Sequence, residues 1–242
     1  MTTLTKLIVS FILSLLLLSC EFNTGWGPGV TGDGNVITKE QRLQNEFNEI
    51  HVSRGLDVYV TQGPSEKVTI EADGNLHDII LVAINNGVLE ITAEENIRSA
   101  ASKKVLVTFK NIDKIVATSG SDVYSTNTIK ADDLELETNS GSDMELEIDT
   151  QKLYCLSTSG SDLELTGRAT TLKAEANSGS DIDAGDLLAE KSTIRATSGA
   201  SISVNTSKEL IAKANSGGDI TYYGSPEKLE KTEGVSGGIG KR

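Results

Sequence analysis

From residue 115 onward the chain alternates apolar and polar residues, and the alternation is interrupted at near-regular intervals by a Ser-Gly pair. The stretches "IVATSGSDVYS", "ETNSGSDMELEI", "STSGSDLEL", "ANSGSDIDA", "ATSGASISV" and "ANSGGDITY" share this plan. Their glycines are Gly120, Gly141, Gly160, Gly179, Gly199 and Gly217, and Gly237 continues the series. The intervals are nearly equal, the longest running from Gly120 to Gly141 and the shortest from Gly199 to Gly217. A strand sends successive side chains to opposite faces, so positions counted from each glycine should keep one parity apolar or small if the intervals are stacked coils. Three after the glycine stand Val123, Met144, Leu163, Ile182, Ile202 and Ile220; five before stand Ile115, Leu136, Cys155, Ala174, Ile194 and Ala212. Three before stand Ala117, Thr138, Ser157, Ala176, Ala196 and Ala214. On this parity the serines on both sides of the glycine are also expected to face inward, as Ser140 and Ser142 do around Gly141. The opposite parity carries Asp122, Asp143, Asp162, Asp181 and Asp219, followed by Glu145, Glu164 and Asp183.

A repeat of about 20 residues per coil predicts an all-β solenoid: a single-stranded parallel β-helix, right-handed by the crossover rule, with Ser-Gly as its corner. An antiparallel sandwich of hairpins is the alternative, because alternation does not fix pairing direction. Two before the glycine, Thr118, Asn139, Thr158, Asn177, Thr197 and Asn215 alternate strictly, which reads as a duplicated unit of two coils.

The N-terminal half is less regular. "VSRGLDVYV" at 52–60 overlays "TSGSDVYS" at 118–125, matching Gly55 to Gly120 and Asp57-Val58-Tyr59 to Asp122-Val123-Tyr124. Between them lie expected strands at 67–72, 79–85, 88–93 and 104–109, and Asn85-Asn86-Gly87 is a hairpin signal. This hairpin insertion is expected to cap the first coils and cover an open sheet edge.

Charge narrows the partners. The 242 residues carry a formal net charge of -13, and lysine and arginine nowhere form the concentrated face that phosphate binding needs. A nucleic-acid partner is excluded; the acidity reads as a solvated surface or as an attraction for cations.

The first residues have a different character. Lys6 precedes an apolar run at 7–18, too short to span a bilayer comfortably and suited to a signal peptide. Its end, "LLSC", resembles the lipobox of bacterial lipoproteins, which implies removal of residues 1–19 and lipidation of Cys20; a plain secretory signal is the alternative. Acyl chains on Cys20 would hold the chain to a membrane, since each buried methylene contributes about 0.8 kcal/mol. The Gly-rich segment 20–35 reads as a tether and 36–240 as one domain. With Cys20 lipidated, Cys155 has no partner for a disulfide and occupies an inward position, as a small buried hydrophobe.

The motifs "FNEIHVSRGLDVYVTQG" at 47–63 and "VTIEADGNLHDII" at 68–80, followed by the Ser-Gly-Ser-Asp series, resemble the auto-transporter adhesin head (GIN) domain family of exported bacterial lipoproteins. The resemblance covers about residues 36–240. It implies a right-handed β-helix; together with the lipobox, the chain reads as a lipid-anchored, extracytoplasmic adhesion or interaction module, expected at the outer membrane with a surface protein or a glycan as its partner. It implies no catalytic residues.

Three kinds of chemistry remain to be placed. Asp122, Asp143, Asp162 and Asp181 would stack as a ladder of like charges, a candidate for calcium, although its repeat is too long for the nine-residue calcium cage of β-rolls. Asp143 and Asp162 are the candidate acid pair if the solenoid cleaved polysaccharides, a reading that the equivalence of their positions argues against. His51 and His77 are the only histidines and read as exposed structural residues. Tyr59 and Tyr124, at the outward position four after their glycines, are the candidate platform for a sugar.

Overall fold

The computed structural model describes residues 29–242; the expected signal segment 1–19, Cys20 and the first part of the expected tether lie outside them. Strands stacked about 19 residues apart form a β-solenoid of about seven turns, with no α-helix among the described residues. In the regular body every pairing between successive coils is parallel, so the sandwich alternative is excluded. A parallel sheet is ordinarily covered on both faces. Here each coil closes on itself, one face becomes core and the other solvent, and the strands alternate instead of running continuously apolar.

The inward columns are in register. Val58, Val123, Met144, Leu163, Ile182, Ile202, Ile220 and Ile239 sit opposite one another in successive coils, each at most 8% exposed. A second column runs Leu89, Ile50, Ile115, Leu136, Cys155, Ala174, Ile194 and Ala212. Burying each large aliphatic side chain contributes about 1.5–3 kcal/mol. Because identical depths recur in every coil, the core is a continuous rod of such contacts.

At the corners the expected orientation of one serine is overturned. Ser119, Ser140, Ser159, Ser178, Ser198 and Ser216, each one before its glycine, are outward or exposed and left-handed, with φ between 52° and 59°. The next residue, Gly120, Gly141, Gly160, Gly179, Gly199 or Gly217, is left-handed too. Two successive positive φ values make the reversal that a type I′ turn makes in a hairpin, and they insert two residues without side chains in the core. Strict parity counting across the turn therefore misplaces the first serine. The residue after the glycine points inward again: Ser121, Ser142, Ser161 and Ser180 are fully buried.

Each buried serine closes its turn. The Oγ atoms of Ser121, Ser142, Ser161 and Ser180 accept the N–H of Thr118, Asn139, Thr158 and Asn177 at 3.0–3.2 Å. They also lie 2.7–3.2 Å from an acceptor three before the glycine of the preceding coil: the carbonyls of Val52, Ala117 and Ser157 for Ser121, Ser142 and Ser180, and Thr138 Oγ1 for Ser161. The Thr/Asn alternation has an equally direct cause. The hydroxyl of Thr158 donates to Asn139 Oδ1 at 3.0 Å, and that of Thr197 to Asn177 Oδ1, so a donor in one coil meets an acceptor in the one before.

The N-terminal insertion does cap the solenoid, by reordering coils. Val88–Ala93 pairs in parallel with Glu49–Val52, and Lys103–Phe109 with Asp57–Gln62. Lys114–Thr118 and Asp122–Ser125 occupy the other side of the same two strands. The coil nearest the N-terminal end of the rod is thus later in sequence than its neighbour. Antiparallel strands finish it: the hairpin Ile80–Asn85 with Val88–Ala93, turning at Asn86 (φ 51°) and Gly87 (φ 84°), and Lys67–Asp73 between Lys103–Phe109 and Val36–Gln41.

Residues 29–35, expected as the end of a free tether, are instead held to this cap. Val30–Thr31 pairs with Ile97–Ser99, and the carboxylate of the fully buried Asp73 accepts the N–H groups of Gly34, Ala101 and Ser102 at 3.0–3.1 Å. Burial alone pushes the Asp73 carboxyl up, but those three N–H groups together hold it below the ordinary carboxylate range. His77 also departs from expectation. It is 8% exposed and its Nε2 lies 3.0 Å from the carbonyl of Ile37, so it packs under the cap rather than facing water.

Candidate functional site

The corners determine where chemistry can sit. Because the residue after each glycine points inward, the next points out from the start of the following leg, and parallel register places these residues side by side. Asp57, Asp122, Asp143, Asp162 and Asp181 form one column. Asp57, not assigned to the ladder from sequence, extends it by one coil; the overlay of "GLDVYV" on "GSDVYS" carried the signal. Ser201 interrupts the column and Asp219 resumes it. Two residues further on, Tyr59, Tyr124, Glu145, Glu164 and Asp183 form a second column.

This leg is uncompensated along most of its length. No lysine or arginine occurs at 122–129, 143–151, 162–167, 181–190, 201–207 or 219–227. Burial, and behind it the charges of Asp57 and Asp143, raise the pKa of Asp122; burial, Asp143 and Asp181 raise that of Asp162. Cations occur at the ends of this leg: at the cap Lys103 pairs with Asp57 at 2.8 Å and Lys104 lies 5.6 Å from the Tyr59 ring centre, and at the tip Lys241 stands opposite Tyr222. The opposite leg is balanced: Lys114 sits between Glu135 and Glu137 at 2.8 and 2.7 Å, and Lys173 pairs with Glu175 at 2.9 Å while lying over Tyr154.

The expected residues are therefore brought together, with altered roles. Tyr59 and Tyr124 stack on each other, ring centres 5.2 Å apart and planes 27° apart. Each ring has given one face to its neighbour, so the pair is first a rung between coils. Asp143 and Asp162 are adjacent rungs of one ladder, flanked by more of the same, not two carboxyls in the contrasting environments that an acid/base pair requires. Among the described residues no three His, Cys, Asp or Glu side chains gather closely enough to hold a metal ion. Cys155 is fully buried, and burial pushes its thiol far up, out of the range of a reactive thiolate.

Two grooves lie on or just beyond the acidic leg. One, of about 360 Å³, lies where the ladder passes from Asp181 to Ser201, between Glu164, Asp183 and Ser203. The larger, of about 530 Å³, lies beyond the end of the acidic leg beneath Leu188. Sequence reading missed it, although the unequal glycine spacings around it were in view.

A closed parallel solenoid with its polar residues in repeating outward columns is a scaffold of the parallel β-helix class. The chain belongs to the family described as "Putative auto-transporter adhesin, head GIN domain", whose model matches residues 46–226. No curated protein matches it. Crystal structures of three proteins share its fold. A "putative adhesin" from Bacteroides fragilis is 23% identical, with 88% of this chain and 100% of that one covered at a TM-score of 0.81. A "putative adhesin" from Parabacteroides merdae is 20% identical, with 88% and 98% covered at 0.71. A "putative lipid binding protein" from Parabacteroides distasonis is 21% identical, with 88% and 99% covered at 0.72.

Proposed function

We propose that the chain is a non-enzymatic interaction module of the cell envelope, anchored through lipid on Cys20 to the outer membrane and holding its solenoid outside the cytoplasm. The observation that carries this reading is the long leg of repeated outward columns, Asp57 to Asp181 and Tyr59 to Asp183, built on a core that continues through every coil. Such a surface offers many equivalent contacts at fixed spacing, which suits adhesion to an extended partner better than chemistry on one bond. Family membership and the "LLSC" sequence support the location.

The test uses bacterial cells that make the full-length chain or its Cys20→Ala variant. Wild type is expected to incorporate labelled palmitate, to pellet with outer membranes and to increase adherence of the cells to host matrix or to one another. Cys20→Ala should lose the label and the added adherence. Adherence equal with and without the chain would overturn the adhesion reading; palmitate label on the Cys20→Ala variant would overturn the anchor.

A further inference from the structure

In the regular body the interval from Gly179 to Gly199 is followed directly by a shorter one, from Gly199 to Gly217. Two stacked coils of unequal length cannot stay in register all the way round. Pairing runs from Asp181 and Ser201 to Ala184 and Val204, then resumes at Leu188 and Asn205, leaving Gly185, Asp186 and Leu187 without partners in the shorter coil. The preceding coil is also one residue short at this point, Glu164 pairing with Asp183 and Thr166 with Asp186. The surplus makes a ledge. Leu188, at its edge, is 62% exposed on an outward position, and beside it opens the groove of about 530 Å³.

The charges lining that groove are already paired. Arg168 donates from Nε and Nη2 to the two oxygens of Asp149, both at 2.8 Å, and Lys208 pairs with Glu190 at 2.7 Å. What is left is neutral hydrogen-bonding capacity. Thr170 donates to Gln151 Oε1 at 3.0 Å, which leaves the Gln151 amide N–H groups, and the Asn205 side-chain amide makes no hydrogen bond among the described residues. Thr150 also lines the groove; it is 4% exposed, and its Oγ1 is buried without a partner among the described residues. That hydroxyl has essentially no accessible surface and shares the inward parity of Met144, Leu146 and Ile148, so it belongs to the core side of the groove wall. Ala169, Ala189 and Leu188 supply the apolar part.

We propose that this groove binds a neutral saccharide. The amides of Gln151 and Asn205 match sugar hydroxyls, Leu188 packs against a sugar's C–H face, and paired charges leave no excess to favour an ion. The volume is within the usual range for small-ligand sites. The proposal rests on the interaction-module reading and gives it a ligand class and a place, away from the Tyr59–Tyr124 pair.

The test is an array of neutral and acidic oligosaccharides probed with the full-length chain in detergent, followed by calorimetric titration of the neutral sugar bound most strongly. Thr170→Trp, which fills the groove from an exposed position, and Leu188→Glu are each expected to raise Kd at least about tenfold, while Lys213→Ala, exposed on the opposite leg, leaves it unchanged. Melting temperatures of the three variants confirm folding. Binding of acidic sugars alone, of no sugar, or binding indifferent to both groove variants would overturn the assignment. If adherence of cells survives any of those results, the groove assignment falls and the adhesion reading stands; if adherence is also absent, both fall.

Discussion

The N-terminal cap and the regular coils reach the same cross-section by different means. In the coils, order is local and repeated: a left-handed Ser-Gly pair reverses the chain, the next serine closes the turn, and the same few contacts recur once per coil. In the cap, order is long-range and singular. One buried carboxylate, Asp73, gathers N–H groups from Gly34, Ala101 and Ser102, and strands 88–93 and 103–109 lie outside a coil that precedes them in sequence. A repeat spreads risk over many equivalent bonds, whereas the cap concentrates it in a few.

Mutations should expose that contrast. Asp73→Ala leaves the N–H groups of Gly34, Ala101 and the buried Ser102 without their acceptor, which is costly where the group is shielded from water. It is expected to lower the melting temperature by more than about 5 °C, with amide exchange rising first at residues 29–41 and 97–109. A variant that melts like wild type would show that the cap does not depend on this carboxylate. Ser161→Ala removes one hydroxyl that serves Thr158 N–H, Thr138 and Ser157, and is expected to cost about 1–3 kcal/mol in denaturant unfolding. Ala200 stands at the equivalent corner and meets the turn by its own N–H to the Thr197 carbonyl, so exchange protection at Thr158 should fall without unfolding of neighbouring coils.

The smallest expected effect has the opposite sign. Asp162→Asn relieves repulsion from Asp143 and Asp181, worth at most about 1 kcal/mol per neighbour in water and less in salt, so the variant should be slightly more stable, and less distinctly so as salt is added. Millimolar calcium raising the melting temperature of wild type but not of the variant would instead make the ladder a cation-held element.

Acid separates the two regions again. The pKa values of Asp122 and Asp162 are raised above 3.8, so in that window the folded state holds more protons than the unfolded, and these groups stabilise the fold as pH falls through it. The pKa of Asp73 is lowered, so its contribution is present above 3.8 and is lost as pH falls through its folded value. A melting-temperature profile should therefore rise on mild acidification and then drop, and Asp73→Ala should lessen the drop, the ion-paired Glu135, Asp149 and Glu209, whose pKa values are also lowered, contributing the remainder.

How much of this was legible in the sequence follows the same division. The solenoid, its inward columns and the outward aspartates were readable because each statement was repeated in coil after coil by residues such as Val123, Met144 and Leu163. The orientation of Ser140 was not, because parity assumes extended backbone and the two left-handed residues break it. The hairpin at Asn86-Gly87 was readable as a local turn, but nothing local says that Val88–Ala93 crosses outside Glu49–Val52 or that His77 is buried beneath Ile37. The groove at Leu188 is an intermediate case: the unequal spacings on either side of Gly199 contain it, but only their adjacency in the stack turns a small difference in length into a ledge.

The serine after each corner glycine gives the rod a direction. Ser121, Ser142, Ser161 and Ser180 all reach to atoms of the coil before their own, never the coil after. A new coil arriving at the growing end finds acceptors already in place, while without its predecessor Ser121, Ser161 or Ser180 keeps only the carbonyl of Thr118, Thr158 or Asn177 in its own turn. From the coil of Ser121 onward, beyond the reordered cap, this direction runs towards the tip in the order of the sequence, so a coil added at the far end leaves the contacts already made unchanged.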